Sequence, residues 1–307
     1  MAEAAVLTPS QTPLRAYSAI VLGILAVSLA AIFIRLAQLE GVPSLFIAAA
    51  RLTLAALILT PFAWSRYAAP IRQLARGELL LAGISGLFLA LHFATWILSL
   101  EYTSVLIAVV LVSTGPLWIA LLETIFLKAR LGSMLILGLI LAIMGGVLIG
   151  LSGSNELTPR HNPALGSLLA LSGAIAFAVY MVIGRKLRAQ LALLPYIWLV
   201  YSCAAGILLA TIVLAGTPVI GYTAAGYLWV VALGLVPQLI GHSSFNYAVK
   251  YLPATFIGIA GQLEPVMSTI LAVLVLQEEI PQELQVWGSA AILIGVTLAG
   301  LAQARSK

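Results

Sequence analysis

The sequence predicts an all-α integral membrane protein in which ten transmembrane helices form two inverted five-helix repeats. Three features point there. Hydrophobic residues make up 62% of the 307 positions and charged residues only 8%, about a third of the ~25% charged share of soluble domains. Sliding the chain by 149 positions without a gap sets Tyr102 on Tyr251, Pro116 on Pro265, Leu127 on Leu276, Gly77 on Gly226 and Gly146 on Gly295. Lys and Arg are dense in every other segment between the apolar runs.

The apolar runs are Ala16–Leu39, Ser44–Trp64, Glu78–Leu100, Ser104–Leu127, Ser133–Leu151, Ala164–Arg185, Leu194–Ala215, Ala224–Val249, Pro253–Leu276 and Leu284–Ala302. Each is near the roughly 20 residues that a helix needs to cross a bilayer. The first is too long in its apolar core for a signal peptide, and removing it would break the repeat. The first and sixth runs match less tightly than the others, with Gly23 on Gly173 and Arg35 on Arg185 at an offset of 150. Both are rich in small residues, which permit close helix contact. The polar stretch Ser152–Pro163 divides residues 1–151 from 164–307 and has the Gly, Ser, Asn and Pro content of an exposed loop.

Six segments, counted alternately, hold twelve basic residues: Arg15; Arg66, Arg72 and Arg76; Lys128 and Arg130; Arg185, Lys186 and Arg188; Lys250; Arg305 and Lys307. The others hold only Arg35 and Arg160, with acids such as Glu40, Glu101, Glu156, Glu278, Glu279 and Glu283. The positive-inside rule then places both termini in the cytoplasm, and the inner membrane is the expected location. A five-span unit that enters from the cytoplasm leaves the next to enter from the other side, so the repeats are expected to be inverted. Inverted repeats around a site at the bilayer midplane are typical of secondary transporters, although channels share them. The net charge of +5 reads as this topology signal and not as a nucleic-acid surface.

Polar residues deep in the runs are the candidate site, because ionisable groups in hydrocarbon are costly unless protein or a water-filled cavity surrounds them. Glu264, followed by the helix-interrupting Pro265, lies roughly 11 residues, about 16 Å, from the nearer end of its run. Its repeat mate is Gly115, so the symmetry of the fold does not require the acid. Arg51 lies about seven residues inside the second run, where it could face a cavity and hold a carboxylate or a helix end, or form a structural ion pair. His92 and His242 fall within one place of each other under the shift, so one cavity could receive both; a histidine bonded to a neighbouring helix is the plainer alternative. Trp96, Ser243, Ser244, Asn246 and Tyr247 add aromatic and polar groups around them. Glu123, near the end of its run and next to Lys128 and Arg130, is expected to snorkel outward. Cys203 is expected to be a small buried residue; a single cysteine allows no internal disulfide and no cysteine-built metal site. No Walker sequence, His-Glu-x-x-His or Gly-x-Ser-x-Gly motif is present. Neither an enzyme nor a cofactor is expected.

The stretches Ala49-Ala50-Arg51-Leu52-Thr53-Leu54, Glu101-Tyr102-Thr103-Ser104 running to Pro116, Leu263-Glu264-Pro265-Val266, Leu276 to Pro281, and Gly288 through Gly295-Val296 together resemble the EamA-type family of the drug/metabolite transporter superfamily. The resemblance covers nearly the whole chain, twice. It implies a ten-helix fold that moves small metabolites through a central cavity lined by spans 1, 3, 4, 6, 8 and 9. One departure stands out: the first half has Ala129 where the second has Glu278, which argues against a symmetric gating role for that acid.

The reading is a small-metabolite permease, an exporter by preference, working by alternating access, with amino acids or similar amphipathic metabolites as leading cargo. Trp96, Trp118, Tyr180 and Phe245 are expected to face apolar parts, and Arg51, His92, His242, Gln262 and Glu264 polar ends. Pro116 and Pro265 are the expected helix breaks. A proton is a candidate coupling partner, and the sequence leaves the oligomeric state open. Cationic drugs or nucleoside-like metabolites are the alternative cargo. A membrane-embedded transferase built on His92, His242 and Glu264 is the rival, weakened by the small number of deep polar residues.

Overall fold

The computed structural model describes residues 14–102, 111–112, 114–152, 162–264, 266–267, 270–271 and 283–305. Every regular element among them is helical. In chain order these are α1 Leu14–Val27, α2 Ala30–Leu39, α3 Ser44–Arg72, α4 Arg76–Tyr102, α5 Gly115–Leu127, α6 Ser133–Ser152, α7 Pro163–Arg188, α8 Leu193–Leu214 and α9 Ala224–Leu233. A π-helical segment, Gly234–His242, leads into α10 Ser243–Ala248, followed by α11 Ala254–Gly261 and α12 Glu283–Arg305. Among the described residues, seven stretches are long and apolar enough to cross a membrane. Pro265, Glu278, Glu279 and most of the expected linker lie outside the described residues.

Several elements depart from the expected runs for local reasons. The first run breaks at Ser28 and Leu29, where the Ser28 hydroxyl donates to Ile24 O at 2.7 Å, a back-bond that bends helices. α3 runs on through Pro61 and Pro70 to Arg72, so Arg66 and Arg72 sit on the helix and not in a loop; Arg72 lies over the Trp64 ring at 5.5 Å. The eighth run changes winding around Pro237, which has no N–H to continue an α-helical ladder. α7 likewise continues to Arg188, which is buried. Its Nε donates to Asn246 O at 2.9 Å and its Nη1 to Leu191 O.

The packing pairs the two halves. α6 lies against α12, α3 against α8, α4 against α7, and α1 against the π segment and α10. Exchanging the halves maps the α4–α7 contact onto the contact of α1 with the eighth run. Glycines make these approaches possible. A Cβ on Gly23 would come within 2.7 Å of the Phe245 ring, and one on its repeat mate Gly173 within 3.3 Å of Trp96 N. Between α6 and α12, a Cβ on Gly145 would meet Gly288 O at 2.5 Å, and one on Gly138 would meet Gly295 O at 2.6 Å. Cys203 is half-buried against Gly86, where a Cβ would stand 2.6 Å from Cys203 Cβ.

Candidate functional site

A cavity of about 270 Å³ lies where the halves meet, a volume near the lower end of small-molecule sites, about 300 Å³. The break in the first run places Val27 and Ala30 on its wall, and α3 contributes Arg51. α4 contributes His92, Phe93 and Trp96, and α7 contributes Phe177. His242 and Phe245 come from the eighth run. Gly115, Pro116 and Ile119 of α5 face Ile257, Gly258 and Gly261 of α11, and Gln262 and Glu264 follow where α11 ends.

The inward face of α3 carries Ile47, Arg51 and Ala55, each buried and spaced four apart, so that they share one side of the helix. Gly234 brings the π segment against this helix, within 3.3 Å of Arg51 O if a Cβ were present. Four residues further on, Gln238 Oε1 accepts from Arg51 Nε at 3.2 Å. The guanidinium carbon stands 4.1 Å from the centre of the Phe93 ring. Arg51 is 1% exposed, and its Nη2 has no hydrogen-bond partner. Its partner is therefore a neutral amide, while the carboxylate on the cavity wall, Glu264, forms no ion pair with it.

His92 Nδ1 donates to Gly173 O at 2.9 Å, which in a neutral ring leaves Nε2 as an acceptor. Its ring stacks on Trp96 with centroids 6.1 Å apart and an interplanar angle of 4°. His92 is thus both bonded to a neighbouring helix and part of the wall. His242 meets Phe93 edge-on at 5.2 Å, and its Nδ1 is buried without a partner. Gln262 Oε1 is likewise buried and unpaired. The backbone carbonyl of Glu264 accepts from the Ser28 hydroxyl at 3.4 Å, which ties the break in the first run to the end of α11.

Of the expected site residues, the structure gathers Arg51, His92, Trp96, Pro116, His242, Phe245, Gln262 and Glu264 around this one cavity. Trp118 and Tyr180 do not line it. Trp118 follows Pro116 by two residues, about 200° around the helix, and its indole N–H donates to Thr114 Oγ1 at 3.1 Å. Tyr180 is buried behind Phe177, with ring centroids 6.0 Å apart, and its hydroxyl accepts from Asn246 Nδ2 at 2.5 Å. Phe177 takes the wall position one turn earlier on the same face. Phe93, Phe177 and Gln238 were not expected; a phenylalanine beside His92 and another one turn before Tyr180 were the available signals for the first two. Glu123 does not snorkel. It is 1% exposed, with its carboxylate bonded across the halves.

A multi-pass helical membrane protein with a mostly apolar cavity holding a few convergent polar groups is the class defined by this fold and site. The model of the EamA-like transporter family matches residues 14–151 and again 164–301, so the chain belongs to that family, with its domain present twice. A protein of Clostridium kluyveri described as an uncharacterized transporter is 26% identical over 233 residues, covering 71% of this chain and 70% of that one. The uncharacterized transporter YxxF of Bacillus subtilis is 24% identical, covering 61% of this chain and 58% of its own length. A WAT1-related protein of Arabidopsis thaliana is 28% identical over 176 residues, 48% of each chain. A crystal structure shares the fold with a TM-score of 0.79 at 21% identity, covering 96% of this chain and 98% of the other.

Proposed function

We propose that the chain is a permease of the inner membrane that exports small amphipathic metabolites, amino acids foremost, by alternating access around this cavity. The observation that carries the reading is the set of buried polar atoms without partners on one apolar wall: Arg51 Nη2, His242 Nδ1 and Gln262 Oε1. A buried polar group left unpaired costs about 1–3 kcal/mol, and more when charged, so a cargo that supplies partners to these atoms is favoured over one that leaves them unpaired. Arg51 offers donors to an anionic group. Glu264 and Gln262 offer acceptors to an ammonium, and Phe93, Trp96, Phe177 and Phe245 receive an apolar body. A molecule with both poles on one short backbone fits that arrangement better than a cation alone.

The same geometry is compatible with alternating access. Ten spans in two inverted halves, with both termini cytoplasmic, would present the cavity to one side at a time as one half rocks against the other. The interchange of the α4–α7 contact with that of α1 and the eighth run supports this reading. Glu264 is the carboxylate available to carry a proton through the cycle.

Purified protein in liposomes, tested with a panel of labelled amino acids, nucleosides and cationic drugs, is the direct experiment. Protein-dependent flux of amino acids above protein-free vesicles is the expected result. Flux confined to cations or nucleosides would overturn the cargo assignment.

A further inference from the structure

The carboxylate of Glu123 has no place in the cavity chemistry, yet it is among the most fully bonded side chains in the protein. Its Oε1 accepts from the backbone N–H of Ala254 at 2.9 Å. Its Oε2 accepts from the N–H of Thr255 at 2.8 Å and from the Thr255 hydroxyl at 2.6 Å. Arg185 Nε stands 3.2 Å from Oε1, and Arg185 Nη1 donates to Leu252 O. Glu123 belongs to the first repeat, whereas Arg185, Leu252, Ala254 and Thr255 belong to the second.

The sequence explains why the bond is needed there. α11 starts after Pro253, whose side chain makes no capping hydrogen bond, so its first N–H groups have no acceptor in their own half. A carboxylate at a helix N-terminus satisfies them and meets the positive end of the helix dipole. Glu123 is thus the cap of α11, supplied from the opposite repeat.

Its position matters as much as its bonds. Ile119 and Gly258 both line the cavity, and a Cβ on Gly258 would come within 2.7 Å of Ile119 Cδ1. Glu123 lies four residues beyond Ile119, and Ala254 four residues before Gly258, so the bonded group sits one helical turn, about 5.4 Å, beyond the cavity wall. It lies at the end of the bundle that also carries Lys128, Arg130, Lys186 and Lys250. The other end lacks the same pair. The repeat mate of Glu123 is Ala272, and Arg35, the mate of Arg185, is exposed.

We propose that Glu123 and Arg185 form a latch between the repeats that holds the cavity shut at its basic end, and that this latch must release for the cavity to open there. The proposal rests on the alternating-access reading above. Release is open to solvent exchange from the Arg185 side, whose side chain is 32% exposed. Because the repeat mates Ala272 and Arg35 cannot form this pair, the two closed states of the transporter are held by different contacts.

The test needs no cargo. Spin labels at Arg130→Cys and Lys250→Cys, both exposed positions outside the latch, in a Cys203→Ala background report the separation of α5 from the start of α11 in nanodiscs. The parent should give one short distance. Glu123→Ala and Arg185→Ala should each raise a longer-distance population at least fivefold, and the double variant should raise it no further than Glu123→Ala alone. Thr255→Val, which removes one of the bonds to Glu123, should produce a smaller rise. A Glu123→Ala variant that melts like the parent and keeps the parent distribution overturns the proposal. Should Glu123→Ala fail to fold, an unchanged distribution in Arg185→Ala and Thr255→Val overturns it equally. Flux in liposomes is measured separately, so a latch that opens on mutation in a protein that moves no amino acid would refute the cargo reading and leave the latch standing.

Discussion

Arg51 and Gln238 are joined across the two halves, the guanidinium Nε donating to the amide Oε1 at 3.2 Å, while Arg51 Nη2 has no hydrogen-bond partner. A neutral partner orients the cation without cancelling it. Gln238→Glu would replace that amide with a carboxylate of the same length and neutralise Arg51 in place. The expected outcome is a folded, inserted protein whose apparent affinity for carboxylate-bearing cargo falls by about tenfold or more, the order of one lost charge-assisted hydrogen bond. Concentration-dependent flux in liposomes checks it. An affinity equal to the parent's would show that Arg51 does not read the cargo.

Trp96 stacks on His92 one turn away and forms part of the same wall. Trp96→Ala should leave the melting temperature close to the parent's and weaken transport several-fold, in line with the ~0.5–1.5 kcal/mol that an aromatic contact adds beyond area burial. Transport at the parent rate and affinity would place Trp96 among the packing residues.

The α6–α12 contact depends on the absence of side chains at Gly145 and Gly288. A Cβ at Gly145 would press on the Gly288 carbonyl at 2.5 Å, with backbone on the far side that cannot swing away. Gly145→Val should therefore destabilise by about 1–3 kcal/mol or more, as overpacking does, seen as a lower melting temperature in detergent. Gly206→Val, where a Cβ would meet nothing within 4 Å, is the control and should melt near the parent.

The distribution of Lys and Arg makes a topological prediction. Reporter fusions after Arg76, Lys128 and Arg188 should report cytoplasm, and fusions at Asn155 and Glu279 the opposite side. One break in that parity would remove the argument for inverted halves.

Much of the molecule could be read before any helix was placed. Length, apolar runs and the self-match were legible because a bilayer imposes about 20 apolar residues per span and a duplication preserves register. Arg51, His92, His242 and Glu264 stood out because polarity at that depth needs a reason. The facing of individual side chains was harder to read. Helices that are apolar nearly all round carry no stripe to mark the inward side, so Trp118 and Tyr180 were assigned to the cavity by type while Phe93 and Phe177 were passed over. Glu123 was misjudged for a related reason: its distance from the helix end suggested an outward reach, whereas its partners are N–H groups of a helix 131 positions away in the chain. Gln238 was invisible because its importance lies in one contact with Arg51, made possible by the close approach at Gly234.

The cavity is expected to read both poles of a small amphipathic cargo. The most direct measurement is flux through the purified protein in liposomes of three matched probes: leucine, isoamylamine, which lacks the carboxylate, and 4-methylpentanoate, which lacks the ammonium. Leucine should move at least about tenfold faster than either, since each missing pole leaves a buried polar group unpaired. Glu264→Gln should remove most of the advantage of leucine over 4-methylpentanoate and flatten the dependence of transport on pH between about 5 and 8. Equal flux of all three probes, with Glu264→Gln indistinguishable from the parent across that range, would contradict the account and return Arg51 and Glu264 to structural roles.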